Sequence, residues 1–165
     1  MYAMFEGCKS LINLDVSHFD TSQVTNMDYM FDGCMSLTNL DLSNFDTSRV
    51  TNMHVMFQSC WSLTNLDVSH FNTSKVTEMY GMFEDCKNLT SLDLSSFDTS
   101  KVSDVSEMLA ECINLHHLVL GSKTKLIGQS GVISNLPAVP AVGIKIPGTN
   151  KVVTAPYWVA TIGYQ

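Results

Sequence analysis

Apolar and polar residues alternate along the stretch from Leu37 to Ser43. Leu37, Leu40 and Leu42 give the spacing L-x-x-L-x-L, and Asn39, Asp41 and Ser43 are the polar residues among them. A period of two predicts a short strand with Leu40 and Leu42 facing in and Asn39, Asp41 and Ser43 facing out. Phe45 then closes the strand into the core. Asp46-Thr47-Ser48, whose side chains can bond their own backbone, predict a turn. Ser48 or Thr51 is placed to cap the next element. Val50, Met53, Met56, Phe57 and Cys60 recur at steps of three and four, which predicts that this element is a short helix. Gly33 stands where the equivalent stripe one repeat earlier would stop.

The whole pattern returns every 26 residues. Cys8, Cys34, Cys60, Cys86 and Cys112 form one column. Leu14, Leu40, Leu66, Leu92 and Leu118 form another, Phe19, Phe45, Phe71 and Phe97 a third, and Met4, Met30, Met56, Met82 and Met108 a fourth. A fixed period of this size is the signature of a solenoid. The expected fold class is α/β: a right-handed leucine-rich-repeat-type solenoid with a parallel sheet on one face, short helices on the other, and a C-terminal cap. Strands are expected near Leu11, Leu37, Leu63, Leu89 and Leu115.

Residues 1–120 are read as about five such repeats and 121–165 as the cap and the start of a linker. The fifth repeat decays, with Val119 in the Asp column and Lys123 in the Phe column. Apolar Val119 on a polar face predicts a cover. All four prolines lie beyond it, together with strand-like runs at 152–154 and 158–162 and a turn at 147–150. Tyr157 and Trp158 are the expected apolar plugs. The chain opens in mid-repeat, since Met1 shares the column of Met27 and Met53. The expectation is a piece of a longer protein, with a sheet edge at Leu11 to Val16 available for self-association.

Composition narrows the function. The net charge is -7 with nine Lys and Arg, so the basic footprint of a nucleic-acid binder is missing. Anionic membranes are disfavoured for the same reason, and no run of eighteen apolar residues predicts direct membrane insertion. Five cysteines at the repeat spacing read as small buried fillers rather than a disulfide framework. Metal spacing of the Cys-x-x-Cys kind is missing. Every Ser and Asp of note is repeated, whereas an active site needs one asymmetric constellation, so no catalytic residues are assigned and no enzyme is expected.

Candidate binding residues lie on the outward face of the predicted sheet. Asp15, Asp41, Asp67 and Asp93 form an acidic row, and neighbouring carboxylates repel. A calcium ion is one candidate to offset that repulsion. Hydrogen bonding to flanking Ser and Asn side chains is the other, and no resident cofactor is assigned. Asn13, Asn39, Asn65 and Ser91, with Ser17, Ser43, Ser69 and Ser95, complete a polar array suited to sugar hydroxyls or to plain solvation. His18 and His70 at its edge are candidates for pH-sensitive binding, and His116 and His117 read as capping residues. Arg49, Lys75 and Lys101 form a basic row in the turn, broken by Gln23. Tyr80, His54 and Trp61 vary within otherwise fixed columns. Trp61 is the best single candidate for a protein contact, and packing on Met35 is its bland alternative.

The line MF-x-x-C-x-SL-x-NLD-[VL]-S-x-F-[DN]-TS-x-VT-x-M resembles the repeat of BspA-like bacterial surface proteins. The match covers residues 1 to about 120. The tail resembles the segment that follows such repeats in surface proteins of lactic-acid bacteria. The resemblance implies export, attachment to a Gram-positive cell surface, and adhesion to host mucin, glycan or extracellular-matrix protein. The rival expectation is a passive spacer that holds another domain away from the wall. One departure stands out: Phe19, Phe45, Phe71 and Phe97 occupy the place of the Asn that bonds the turn in ordinary leucine-rich repeats. An aromatic spine is expected there, with the turn's polar groups bonded to the Asp-Thr-Ser segment.

Overall fold

The structure, a computed structural model, describes residues 1–126. Its unit is a coil of 26 residues, and the coils stack so that equivalent residues lie one above another. The stack is held along several lines of hydrogen bonds. The expectation of helices on one face is overturned. Among the described residues there is no helix, and the only strands are β1 (Ser91–Leu94) and β2 (His117–Leu120), paired in parallel with Leu92 opposite Leu118.

The segment that carries the helical spacing makes tight turns instead. In the second coil the N–H groups of Met30, Asp32, Cys34 and Leu37 reach back three residues to Met27, Tyr29, Phe31 and Cys34. The alternate N–H groups, of Met27, Tyr29, Phe31 and Gly33, point along the stack. They donate to the carbonyls of Asn52, His54, Met56 and Gln58 at 3.0, 3.1, 2.9 and 2.8 Å. Met53, Val55, Phe57 and Ser59 donate in the same way to the fourth coil.

Two left-handed residues per coil, four positions apart, cause this. Ala3 and Gly7, Tyr29 and Gly33, Val55 and Ser59, Gly81 and Asp85, and Glu107 and Glu111 all have positive φ. A left-handed residue breaks a right-handed helix, and here it turns alternate amides toward the neighbouring coil. A stretch as short as Val50 to Cys60 is also too short to hold a helix by itself, whereas the adjacent coil offers each outward N–H a partner. Steps of three and four fit successive tight turns as well as they fit a helix.

Glycine holds two places in the second left-handed column (Gly7, φ 69°; Gly33, φ 70°), and Ser59 holds an equivalent one at φ 56°. A side chain there costs about 1 kcal/mol. Ser59→Gly is therefore expected to raise stability by about that amount, read as a higher denaturant midpoint at unchanged slope. An unchanged or lower midpoint would refute the strain.

The expected sheet is narrower than five strands. Earlier coils contribute one bridge, Asn13 to Asn39, and single bonds such as Thr38 N–H to the Ile12 carbonyl. Each short run ends where an Asp carboxylate takes the N–H of the Ser two residues on: Ser17 to Asp15, Ser43 to Asp41, Ser69 to Asp67 and Ser95 to Asp93. The inward and outward sets are as the alternation predicts, with Leu40 and Leu42 buried and Asn39, Asp41 and Ser43 exposed. A second line of bridges runs Asn26, Asn52, Glu78, Asp104.

A third line is made by side chains. Thr21, Thr47 and Thr73 are buried, and each hydroxyl serves the coil above. It accepts the N–H of Asp46, Asn72 or Asp98 at 2.8, 2.8 and 2.7 Å, and donates to the carbonyl of that same residue. Thr99 does the same for Lys125, so residues 121–126 continue the fifth coil. Gly121 passes so near the fourth coil that a Cβ there would lie 2.0 Å from the Ser95 carbonyl oxygen.

The core is the Leu, Met, Phe and Cys columns, fully buried in the middle coils. The ring stack forms in a column different from the expected spine. Phe5, Phe31, Phe57 and Phe83 stack with centroids 5.6, 5.6 and 5.7 Å apart and planes within 8°. Phe45, Phe71 and Phe97 are buried beside them. Cys34, Cys60, Cys86 and Cys112 are buried free thiols, each donating to a Phe carbonyl of the coil before. Burial pushes the Cys34 thiol up to about 11 and that of Cys112 up to about 12. The expected strands, turn and plugs between 147 and 162 lie outside the described residues, as does any cover over Val119.

Candidate functional site

The polar array read from sequence is assembled on one face. Asn13, Asn39, Asn65, Asp15, Asp41, Asp67, Asp93, Ser17, Ser43, Ser69 and Ser95 are exposed, and Ser91 is half-buried. The carboxylates are committed locally. The Ser17 hydroxyl and N–H hold Asp15 below the usual carboxylate range, and Ser69 does the same for Asp67. Ser43, through its N–H and then its hydroxyl, does so for Asp41. Among the described residues no group of three or more His, Cys, Asp or Glu is arranged to hold a metal ion.

His18 and His70 are exposed, but His70 has a structural bond. Its Nε2 lies 3.0 Å from the Leu42 carbonyl and must carry the proton to donate there. Asn44, in the same column, donates to the carbonyls of Val16 and Phe19 at 3.0 Å each. These side chains strap one coil to the next. In the turn, Arg49 donates to Gln23 at 2.6 Å, and Asp20, Asp46 and Asp98 sit beside the basic row.

Trp61 is 37% exposed. Its Nε1–H donates to Asp85 at 2.7 Å, and the Lys87 ammonium sits 4.4 Å over its ring and 3.2 Å from the same carboxylate. Asp85 and Lys87 are therefore its partners, and the indole is already engaged.

The structure brings together a group that the sequence leaves scattered. Tyr2 meets Tyr29 edge-on with centroids 5.8 Å apart, Tyr29 stacks on His54 at 5.3 Å, and His54 lies 5.3 Å from Tyr80. This row crosses four coils on the wall of tight turns. Tyr2 is 62% exposed and the other three rings are half-buried. Tyr29 is hidden from column reasoning because it lies one position out of register with Tyr2, His54 and Tyr80. Its left-handed backbone aims it at the next coil's ring.

Carboxylates surround the row. Burial, then the charges of Glu84, Glu107 and Asp104, hold the Tyr80 hydroxyl above its usual range. Asp28 is nearly buried, accepts the His54 N–H at 3.0 Å, and is raised chiefly by burial. Burial also raises Glu84, which accepts from Gln58 at 2.6 Å, and Asp32, where Glu6 adds repulsion.

These shifts set an acid response. The exposed Asp15, Asp20, Asp41, Asp46 and Asp67 and the half-buried Asp98 and Asp104 are all lowered, through Ser hydrogen bonds. Their stabilisation is present above the unfolded carboxylate range near ~4 and is lost as pH falls through the lower folded values. Asp28, Asp32 and Glu84 act with the opposite sign but are fewer. The melting temperature is expected to fall between pH of about 5 and about 2.5. A rise over that interval would show that the buried carboxylates dominate.

Residues 1–122 match the family described as "Mycoplasma protein of unknown function, DUF285". The chain belongs to the DUF285 family. No curated protein and no solved structure matches it. The matched span runs from the first coil to β2, so the ring row and the polar face both lie inside the DUF285 region.

Proposed function

We propose that this DUF285 chain is an adhesion module carried on the outside of a bacterial cell, binding host mucin, glycan or extracellular-matrix protein through the surface of its stack. The repeat resembles that of BspA-like surface proteins, which supports display and adhesion. The observation that carries the reading is the ring row Tyr2, Tyr29, His54 and Tyr80. Partly exposed aromatic rings are enriched where proteins contact partners, and these rings are repeated coil by coil.

The test is binding of the folded chain to immobilised mucin, deglycosylated mucin and a matrix-protein surface. Saturable binding to any of these supports adhesion, and loss on deglycosylation assigns the glycan. A folded chain that binds none of them sinks it. That result would favour a spacer, a reading supported by the sheet-face carboxylates being spent on Ser17, Ser43, Ser69 and Ser95.

A further inference from the structure

Charge is segregated in this molecule. The wall segments 24–34, 50–60, 76–86 and 102–112 hold half of the chain's 16 acidic residues and neither a Lys nor an Arg. The turn edge is different: Arg49, Lys75 and Lys101 alternate there with Asp46 and Asp98 and largely offset them. The sheet face is acidic but has no tyrosine, its rings being the imidazoles of His117 and, at its edge, His18 and His70, and its carboxylates are held by Ser N–H groups. Among the described residues, the tyrosines all lie on the wall, beside this unbalanced negative charge.

We propose that the ring row Tyr2, Tyr29, His54 and Tyr80, with Glu78, Asp104 and Glu84 beside it, is a docking site for an extended arginine- or lysine-rich segment of a partner protein. This deepens the adhesion reading and rests on it. Guanidinium and ammonium groups are attracted to tyrosine rings and to carboxylates together. An acidic glycan is repelled by this wall, and a neutral one leaves its charge unbalanced. Successive rings of the row lie 5.3–5.8 Å apart, and alternate side chains of an extended segment lie roughly 6.6 Å apart. A flexible cationic side chain spans that difference. Burial and mutual repulsion keep Glu84 and Asp32 above the usual carboxylate range, as expected of carboxylates short of positive charge.

The experiment measures binding of fluorescent nona-arginine to the full chain at low salt, with nona-glutamate as control. The expected result is saturable binding of nona-arginine alone, weakened about tenfold in Tyr80→Ala and by a similar factor in Glu78→Gln/Asp104→Asn. Asp67→Asn, on the sheet face, is expected to bind like the parent. Should Tyr80→Ala fail to fold, the shape-preserving double variant decides. No binding of nona-arginine, or unchanged affinity in a folded double variant, overturns the proposal. The same proteins are tested on the matrix surface. Adhesion that survives in the double variant overturns this site and leaves the adhesion reading standing. Nona-arginine binding at the wall with no matrix or mucin adhesion supports the site while removing the adhesion reading.

Discussion

Replacing Phe57 by alanine is expected to destabilise the fold by about 4 kcal/mol, the largest effect of any single change considered. Phe57 is fully buried and sits in the middle of a stack, with Phe31 and Phe83 at 5.6 and 5.7 Å. Truncation removes a large apolar burial, leaves a cavity between rigid neighbours, and ends two stacking contacts worth about 0.5–1.5 kcal/mol each. The fifth coil supplies a control, because Leu109 occupies this column and is also fully buried. Phe57→Leu should therefore cost much less, about 1–2 kcal/mol. Phe5→Ala should also cost less, because Phe5 is only half-buried. The measurement is equilibrium denaturation of the three variants. Equal losses for Phe57→Ala and Phe5→Ala would mean that the stack is not the element that holds the coils together.

Thr73→Val keeps the shape of the side chain and is expected to cost about 3 kcal/mol. The Thr73 hydroxyl accepts the Asp98 N–H at 2.7 Å and donates to the Asp98 carbonyl at 3.2 Å. Valine leaves both backbone groups without that partner where a buried side chain faces them, and each orphan costs about 1–3 kcal/mol. Thr77 is the comparison. Its hydroxyl donates to the Thr51 carbonyl at 3.2 Å, but the residue is exposed and water can replace the bond. Thr77→Val should stay within about 0.5 kcal/mol of the parent. A solenoid couples neighbouring coils directly, so the Thr73 loss should appear as a lower midpoint for the whole molecule. If Thr73→Val and Thr77→Val melt alike, the buried hydroxyl line contributes nothing special.

Much of the candidate surface is legible in the sequence, because exposure on a strand follows its period. Asn39, Asp41 and Ser43 face out as the alternation requires, and the Asp side chains bind their flanking Ser residues, one of the two alternatives the sequence allows. His54 and Tyr80 can be singled out because they vary within fixed columns. Their grouping with Tyr29 cannot, since Tyr29 belongs to another column and reaches His54 only through a left-handed backbone. Trp61 is the natural choice for a partner contact, yet Asp85 and Lys87 come from the next coil and occupy it.

The helix that Val50, Met53, Met56, Phe57 and Cys60 announce is the clearest case of what periodicity leaves open. Burial at steps of three and four says which side chains face in, and all five are buried. It does not say where the N–H groups go. In isolation they would turn back on their own segment. With an equivalent coil stacked 26 residues away, alternate ones find carbonyls outside it at 2.9–3.0 Å. The 26-residue period, the stacked architecture, the buried columns and the polar face were thus determined by the sequence alone, because they depend on spacing and polarity. The absence of helices among the described residues, the choice of the Phe5 column for the ring stack, the threonine line and the acidic ring row were decided only by the tertiary structure. Each of these depends on which groups of adjacent coils come within bonding distance, and that is a property of the stack that no single repeat contains.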